Sequence, residues 1–263
     1  MSSLYDRKYF FEECEGFREF SSSGGIKLSR RLAYVYSKVY EHKPDRVLDL
    51  GCGRGELALA FALTGWESSG ADSSDDALEI CSQLKERWLS VSPEMKLEFK
   101  KASALSLPWP DRSFDAVVMS DLAEHLNPQE LSSAYREAFR VLDKGGKIFI
   151  HTSPNRIFLS LGLRLYWLMG LIYGIRLPFN MRSALPAGLQ KDFHVNEQTV
   201  FSLRKDLQKA GFSNFFFEFR KNPHYVYYFL KEDHFIPKLN AIYRFLPFKH
   251  LFFADIFVSA EKS

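Results

Sequence analysis

The chain has 263 residues, with 35 basic and 32 acidic side chains and a formal net charge of +3. Hydrophobic residues make up 46%, a globular mix that excludes disordered, collagen-like and low-complexity classes. The near balance of charge argues against a nucleic-acid partner. Aromatic residues reach 16%, including 25 Phe, and composition alone does not locate them.

The three cysteines, Cys14, Cys52 and Cys81, match no zinc or redox spacing, so we expect no disulfide framework. The first ten residues carry charges where a signal peptide needs an apolar core. The sequence therefore predicts a cytoplasmic protein.

Short apolar runs alternate with helical patterns along the chain. The predicted strands are 46–50, 68–71, 97–100, 114–119, 147–152, 213–220 and 254–261, and the predicted helices are 56–64, 74–90, 128–142 and 197–210. Ser74 or Asp75 is expected to cap the second helix, and Asn127 to cap the third before Pro128. Strands that alternate with helices predict right-handed crossovers and a mostly parallel sheet.

A glycine turn follows the first predicted strand. Glycines at 51, 53 and 55 let the backbone turn sharply and approach a ligand, and the next helix aims its free N–H groups at the same place. Asp49 precedes this turn, and its carboxylate would repel a diphosphate and attract an ammonium group. The expected ligand therefore carries an amine and no phosphate.

Asp72 ends the second predicted strand, 21 residues beyond Gly51. A ribose-binding acid occupies this place in nucleotide-binding βαβ units. The alternative is a loop aspartate that caps the next helix.

Together these residues resemble the class I methyltransferases that depend on S-adenosylmethionine. The matching pieces are VLDLGCGRGE (47–56), GAD (70–72), LPWPDRSFDAVV (107–118) and EHL (124–126), and the resemblance covers 45–152 well and 192–259 more loosely. It implies an α/β, Rossmann-like sheet of seven strands, mostly parallel with an antiparallel last strand, with helices on both faces and aromatic helical cap insertions.

The resemblance also implies S-adenosylmethionine as the cofactor. Asp49 and the turn from Gly51 through Cys52 and Gly53 to Gly55 would hold the methionine part, and Asp72 the ribose hydroxyls. Ser73, next to Asp72, is a further expected cofactor-binding residue. Ser103 stands where the family usually has an acid for the adenine amino group, with Ala104 offering its backbone N–H. Ser120 completes the expected cofactor-binding set.

The loop after the fourth strand holds the catalytic candidates. His125 is a candidate general base for a hydroxyl acceptor. Asp121, Glu124 and His125 resemble the metal-binding set of quinone-biosynthesis and small-RNA methyltransferases, and a divalent ion there would lower the pKa of the acceptor hydroxyl. A purely structural or pocket-lining role is the third alternative. His151 and His194 are second-rank candidates.

Most of the aromatic excess lies outside the expected cofactor core. We predict one domain with an N-terminal cap (1–43), a core (44–152), a cap insertion (153–191) and a C-terminal part (192–263) that carries a second insertion at about 221–253. Such rings suit a large hydrophobic or lipid-like acceptor, most simply by O-methylation. The alternative is that they only pack the caps onto the sheet.

The apolar run 157–175 contains a single charge, Arg164. It is long enough to span a bilayer, but strands before and after it belong to one sheet. An intramolecular cap or a peripheral membrane contact through 157–179 is therefore preferred over a span.

Two other functional classes remain open. One is a catalytically silent module that binds S-adenosylmethionine. The other is a nicotinamide-dependent oxidoreductase, which the spacing of the glycines and Asp49 disfavour.

Overall fold

A computed structural model of the chain describes residues 7–172, 194–220 and 253–263. Within them, seven strands form one sheet in the order β3-β2-β1-β4-β5-β7-β6, and β7 runs antiparallel to both of its neighbours. This confirms the predicted fold class. The strands are β1 (Arg46–Leu50), β2 (Glu67–Asp72), β3 (Leu97–Lys101), β4 (Phe114–Ser120), β5 (Leu142–Thr152), β6 (Phe212–Arg220) and β7 (Asp255–Lys262).

Helices pack on both faces of this sheet. In the described residues they are α1 (Phe17–Ser23), α2 (Arg30–His42), α3 (Glu56–Leu63), α4 (Asp75–Leu89), α5 (Pro128–Val141), α6 (Leu163–Ile172) and α7 (Val200–Ala210). Short π-helical segments, Tyr9–Glu13 and Phe158–Gly162, precede α1 and α6, and a 3-10 turn, Ala123–His125, follows β4.

The core divides between the two faces because strand side chains alternate. Leu48 and Val117 pack with α5 and α7 on one face, whereas Val47 and Val118 pack with α2 and α3 on the other. All four of these side chains are fully buried. The central strands β1 and β4 therefore hold the carboxyl end of the sheet rigidly, and ligands bind at that end in open α/β sheets.

Helix starts follow the expected capping chemistry. Ser74 accepts a hydrogen bond from the Ala77 N–H, and Asn127 forms a capping box with Glu130. The last predicted helix begins at Val200 rather than 197, because Thr199 caps it with its side chain on the Ser202 N–H.

Strand β5 begins earlier than the sequence predicted. Its first residue, Leu142, follows α5 directly, and the register with β4 shifts between Phe114 and Ala116. Gly145 takes a left-handed φ of 79° inside this irregularity. The glycines at 145 and 146 thus form a bulge in the strand rather than a loop between elements.

Among the described residues, no helix combines the length and hydropathy needed to cross a membrane. The described part of α6 runs from Leu163 to Ile172. The rest of the predicted cap insertion, up to 191, and most of the predicted second insertion, 221–252, lie outside the described residues, and the predicted division into core and caps remains a prediction.

Candidate functional site

The turn between β1 and α3 is built from three left-handed glycines. Gly51, Gly53 and Gly55 have φ values of 78°, 52° and 80°. The N–H groups of Gly51 and Cys52 donate to the carbonyl of Ala71, at 2.8 and 3.0 Å. The turn is therefore fixed to the end of β2, and Cys52 is buried beneath it with its Sγ 4.0 Å from Cys81 Sγ.

Close packing adds to the glycine requirement at position 55. A Cβ there would lie 2.8 Å from the ring of Phe99 and 2.9 Å from Cys81 Sγ. At Gly53 a Cβ would meet nothing nearer than the ring of Phe10, at 3.6 Å. The third glycine is thus needed for helix and sheet packing, and the second for its backbone conformation.

Asp72 is joined to the glycine turn by a hydrogen bond. The Gly53 N–H donates to Oδ2 of Asp72 at 3.0 Å, and the Ser74 N–H donates to Oδ1 at 2.9 Å. Burial raises the pKa of Asp72 although the Ser74 and Gly53 amides favour the charged form. Each carboxylate oxygen keeps a lone pair for a ligand hydroxyl, which fits the expected ribose acid.

Asp49 lies at the base of the same turn and is 3% exposed. Burial, together with the neighbouring carboxyl groups of Glu56 and Asp72, raises its pKa to about 8. Three carboxyl groups thus surround the turn. Such a site disfavours a diphosphate and favours a cationic group beside Asp49.

The other predicted cofactor residues lie at the same edge of the sheet. Ser73 and Ser103 are exposed and Ala104 is partly exposed, and Ser103 Oγ accepts a hydrogen bond from the Leu105 N–H at 3.2 Å. Ser120 ends β4 and donates to Asp121 Oδ2 at 3.2 Å. The structure therefore brings the predicted set to one edge, and their contact with a cofactor remains a prediction.

Arg54 is a site residue that the sequence analysis missed. It is 2% exposed and forms an ion pair with Glu56 at 2.6 Å. Its guanidinium also donates to the backbone carbonyls of Phe10, Cys14 and Glu15, at 2.8, 3.2 and 2.6 Å. A side chain inside the glycine turn thus fastens the N-terminal segment over that turn, where Phe10 is 4% exposed.

Asp121 belongs to a buried charge network. Its Oδ1 lies 2.9 Å from His151 Nδ1, and its Oδ2 lies 2.9 Å from Arg31 Nε. Burial would raise the pKa of Asp121, but Arg31 and His151 hold it well below its usual value. Burial likewise opposes the charge on His151, yet Asp121 and Asp255 raise its pKa to about 10.

His151 is therefore a buried cation between two aspartates. Its Nε2 lies 3.5 Å from Asp255 Oδ2 on β7. A protonated imidazole held in this way cannot act as a base. The contacts of the network instead fix the positions of β5, β7, α2 and the end of β4 relative to one another. Asp121 adopts a left-handed φ of 52° at the centre of the network.

A second cluster joins two of the predicted metal ligands to His194. Potential ligand atoms of Glu124, His125 and His194 lie within 4.8 Å of one another. Asp121, the third predicted ligand, is outside this group because its carboxylate contacts Arg31 and His151. No local pattern in the sequence could reveal the partnership of His194, which is 69 residues from His125.

The electrostatics of this cluster follow from burial. Burial and the nearby Asp121 raise the pKa of Glu124 to about 8, and its Oε2 accepts a hydrogen bond from Thr152 Oγ1 at 2.8 Å. Burial and His125 lower the pKa of His194 to about 4, and its buried Nδ1 has no hydrogen-bond partner among the described residues. A neutral imidazole with an unused nitrogen is the form that binds metal ions.

The central part of the chain is similar to known methyltransferases. Residues 48–150 match the model of the family described as "Methyltransferase domain". A demethylmenaquinone methyltransferase of Thermus thermophilus is 34% identical over 116 residues, which cover 43% of this chain and 50% of that protein. A 2-phytyl-1,4-naphtoquinone methyltransferase of Synechococcus elongatus is 30% identical over 130 residues, covering 49% and 54%.

A solved structure of similar fold extends over more of the chain. An S-adenosylmethionine-dependent methyltransferase from Methanosarcina mazei has a TM-score of 0.56 and 21% identity, covering 86% of this chain and 96% of that one. The chain spans about half the length of these two curated relatives.

The fold, the glycine turn with its two aspartates and the family match converge on one class. That class is the S-adenosylmethionine-dependent methyltransferases: residues 48–150 match the methyltransferase-domain family, and the fold is similar to that of a solved member of the class. Within that class, its sequence is similar to quinone methyltransferases.

Proposed function

We propose that the protein transfers a methyl group from S-adenosylmethionine to a hydroxyl oxygen of a small, hydrophobic or lipid-like acceptor. The observation that carries the proposal is the unit of Asp49, Gly53 and Asp72. In it a buried carboxyl group, a left-handed glycine amide and a second carboxylate surround one turn. The buried carboxyl group of Asp49 suits the ammonium of the methionine part, and the carboxylate of Asp72 suits two ribose hydroxyls.

Electrostatics favour this cofactor over a dinucleotide. The carboxyl groups of Asp49 and Asp72 lie beside the turn and can ionise next to a bound cation, whereas Arg54 is already engaged by Glu56 and by three backbone carbonyls. A pyrophosphate would add two more negative charges at this place, but a sulfonium and an ammonium would be stabilised. The nicotinamide alternative is therefore disfavoured on the charge of the site.

The bound cofactor supplies an activated methyl group on its sulfonium. The chain has to hold the acceptor in line with that methyl, exclude water and take up the acceptor's proton. His125, on the 3-10 turn after β4, is the proposed general base. In that step the acceptor oxygen would bond to the methyl carbon as the carbon–sulfur bond breaks and a neutral thioether is left. The hydroxyl proton would pass to the imidazole, so that the positive charge of the sulfonium ends on His125.

A divalent cation is a second candidate for the same step. The ligand atoms of Glu124, His125 and His194 fit one ion by their spacing, and the unused buried Nδ1 of His194 fits a ligand role. Carboxylate and imidazole together suit Mn²⁺ or Zn²⁺. These three side chains would hold the ion, and the ion would lower the pKa of an acceptor hydroxyl.

The apolar acceptor is supported by two observations. The two quinone methyltransferases named above act, by their names, on quinone-type molecules. The N-terminal segment over the glycine turn contributes aromatic rings, with Tyr9 and Phe10 in edge-to-face contact at 5.3 Å. Phe10 and Phe20 also pack on the core, so part of the aromatic excess stabilises the cap.

Cofactor class is tested first by thermal shift. We expect S-adenosylhomocysteine to raise the melting temperature and NAD to leave it unchanged; stabilisation by NAD alone would overturn the proposal. Transfer is then followed with methyl-labelled S-adenosylmethionine and lipid extracts, with Asp49→Asn as the inactive control. Cofactor binding without labelled product in any extract would favour the silent module.

The proton step is tested with His194→Ala and His125→Ala. If His125 acts alone as base, only the second variant loses turnover, and added Mn²⁺ or Zn²⁺ leaves the melting temperature of the chelator-treated protein unchanged. If a metal acts, both variants lose turnover, and both lose a metal-induced rise in melting temperature that the unmodified protein shows.

A further inference from the structure

The helix that follows β5 exposes an apolar face beside the carboxyl end of the sheet. It consists of the π-helical segment Phe158–Gly162 and α6. Asn155, 1% exposed, accepts a hydrogen bond from the Ile157 N–H at 3.0 Å and donates one to the Phe253 carbonyl at 3.2 Å. The helix start is therefore fixed to the segment that leads into β7.

The inner side of this helix is used for folding. Phe158, Leu159 and Leu163 are buried, with exposures of 2%, 6% and 4%. Four other aliphatic side chains remain between 45% and 73% exposed: Leu161, Leu168, Leu171 and Ile172. Scattered exposed leucines are ordinary, but several on one short helix mark an interaction surface.

The charges of this region have one sign. Between 156 and 191 the sequence holds five basic residues, at 156, 164, 176, 182 and 191, and no acidic residue. Arg156 and Arg164 are exposed, and neither forms an ion pair with a described residue. A surface with exposed leucines and exposed arginines is complementary to an anionic lipid headgroup layer.

We propose that the exposed face of Leu161, Leu168, Leu171 and Ile172, with Arg156 and Arg164, docks on an anionic membrane surface. The leucines and the isoleucine enter the boundary between headgroups and acyl chains, while the arginines pair with lipid phosphates. The proposed function supplies the purpose of this docking, which is access to a lipid-like acceptor. The docking itself needs neither cofactor nor acceptor. Its geometry is favourable, since the helix leaves the same edge of the sheet that holds His125 and Asp72.

Vesicle flotation of the full chain tests this docking. Vesicles of phosphatidylcholine alone are compared with vesicles that also contain phosphatidylglycerol. We expect the protein to float with the anionic vesicles and to be released by added salt. Leu168→Ser combined with Ile172→Ser should lower the partition coefficient about ten-fold, because two partly inserted side chains are lost.

Arg164→Gln should lower partitioning onto the anionic vesicles about five-fold and leave that onto phosphatidylcholine unchanged. The matched controls are Val91→Ser and Phe201→Ser for the apolar change, and Arg136→Gln for the charge. Val91 and Phe201 are 67% and 68% exposed, and all three residues lie elsewhere in the fold. Controls that lose binding as strongly as the face variants would overturn the proposal.

A different occupant would give a different result. If the protein stays with neither vesicle type and sediments as a dimer that Leu168→Ser with Ile172→Ser dissociates, the face is a contact between copies and the proposal is wrong. Binding of S-adenosylhomocysteine is measured on the same samples. Loss of flotation with retained cofactor binding overturns only the docking, and loss of cofactor binding with retained flotation overturns only the methyltransferase assignment.

Discussion

The amide of Gly53 donates a hydrogen bond to Oδ2 of Asp72 across 3.0 Å, so that the turn after β1 and the end of β2 form one unit. The Ser74 amide holds the other carboxylate oxygen at 2.9 Å. The proposed ribose acid is thereby oriented before any ligand arrives. Preorganisation of this kind lowers the entropic cost of binding.

Asp49→Asn should separate cofactor binding from stability. The substitution keeps the shape of the side chain and removes the charge that would pair with the ammonium. We expect affinity for S-adenosylhomocysteine to fall by roughly 1.5–3 kcal/mol, the usual range for a hydrogen bond to a charged group. Isothermal titration at pH 8.5, where the carboxylate is charged, measures this loss.

The same variant should change how stability depends on pH. The pKa of Asp49 is raised from 3.8 to about 8 in the folded chain, so the folded state holds this proton more tightly than the unfolded state. The contribution of Asp49 to the free energy of unfolding is therefore complete below about pH 4 and is lost as the pH rises to about 8. We expect the unfolding free energy of the unmodified protein to fall more steeply over this window than that of Asp49→Asn, by up to ~1.4 kcal/mol per pH unit. Equal slopes in urea titrations would contradict the assignment.

Gly55→Ala should disrupt the glycine turn by steric contact. The added Cβ would lie within 2.8–2.9 Å of Phe99 and Cys81, at a left-handed φ of 80°. Gly65→Ala is the matched control, because Gly65 is also left-handed at 96° but has no atom within 4 Å of the new Cβ. We expect a loss of about 1–2 kcal/mol for the control from backbone strain alone, and a further 1–3 kcal/mol for Gly55→Ala from overpacking.

Chemical denaturation of both glycine variants measures that difference. Equal losses would mean that the backbone conformation alone requires glycine at 55. Cofactor binding should fall for Gly55→Ala and stay unchanged for Gly65→Ala, since Gly65 lies at the other end of α3.

Much of the cofactor site could be predicted from the sequence because its signals are local. Asp49 and the glycines lie within seven consecutive residues, and Asp72 follows at a fixed distance along one βαβ unit. Strand and helix positions followed in the same way from short apolar runs and capping residues. Among the elements predicted individually, β5 begins earlier, at Leu142, and α7 later, at Val200.

The partners of the remaining site residues could not be predicted. The left-handed φ of Asp121 and its contacts with Arg31 and His151 depend on tertiary structure. His194 reaches His125, at 5.2 Å between ring centroids, only because the chain returns to the sheet after the cap insertion. Spacing along the sequence carries no signal for such contacts.

Arg54→Gln should loosen the N-terminal segment. The change removes the ion pair with Glu56 and the multiple donors to the carbonyls of Phe10, Cys14 and Glu15. Because it leaves Glu56 buried and unpaired, we expect a loss of about 3–5 kcal/mol. Arg54→Gln with Glu56→Gln should recover part of it, while limited proteolysis still shows faster cleavage before α1.

Cleavage that stays as slow as in the unmodified protein would show that Arg54 does not fasten the segment. Arg136→Gln changes an exposed arginine that donates hydrogen bonds to Ser132 and Ser133, and it is the control for a general loss of charge.

The partners of Arg54 have a consequence for engineering. Arg54 lies between the second and third glycines of the cofactor motif, and it donates hydrogen bonds to backbone carbonyls some forty positions upstream. A chimera that receives the N-terminal segment of a relative would therefore need that relative's residue at position 54 as well. An exchange of the N-terminal cap in this protein should therefore join the two sequences after position 54, inside the cofactor motif, rather than at the start of β1.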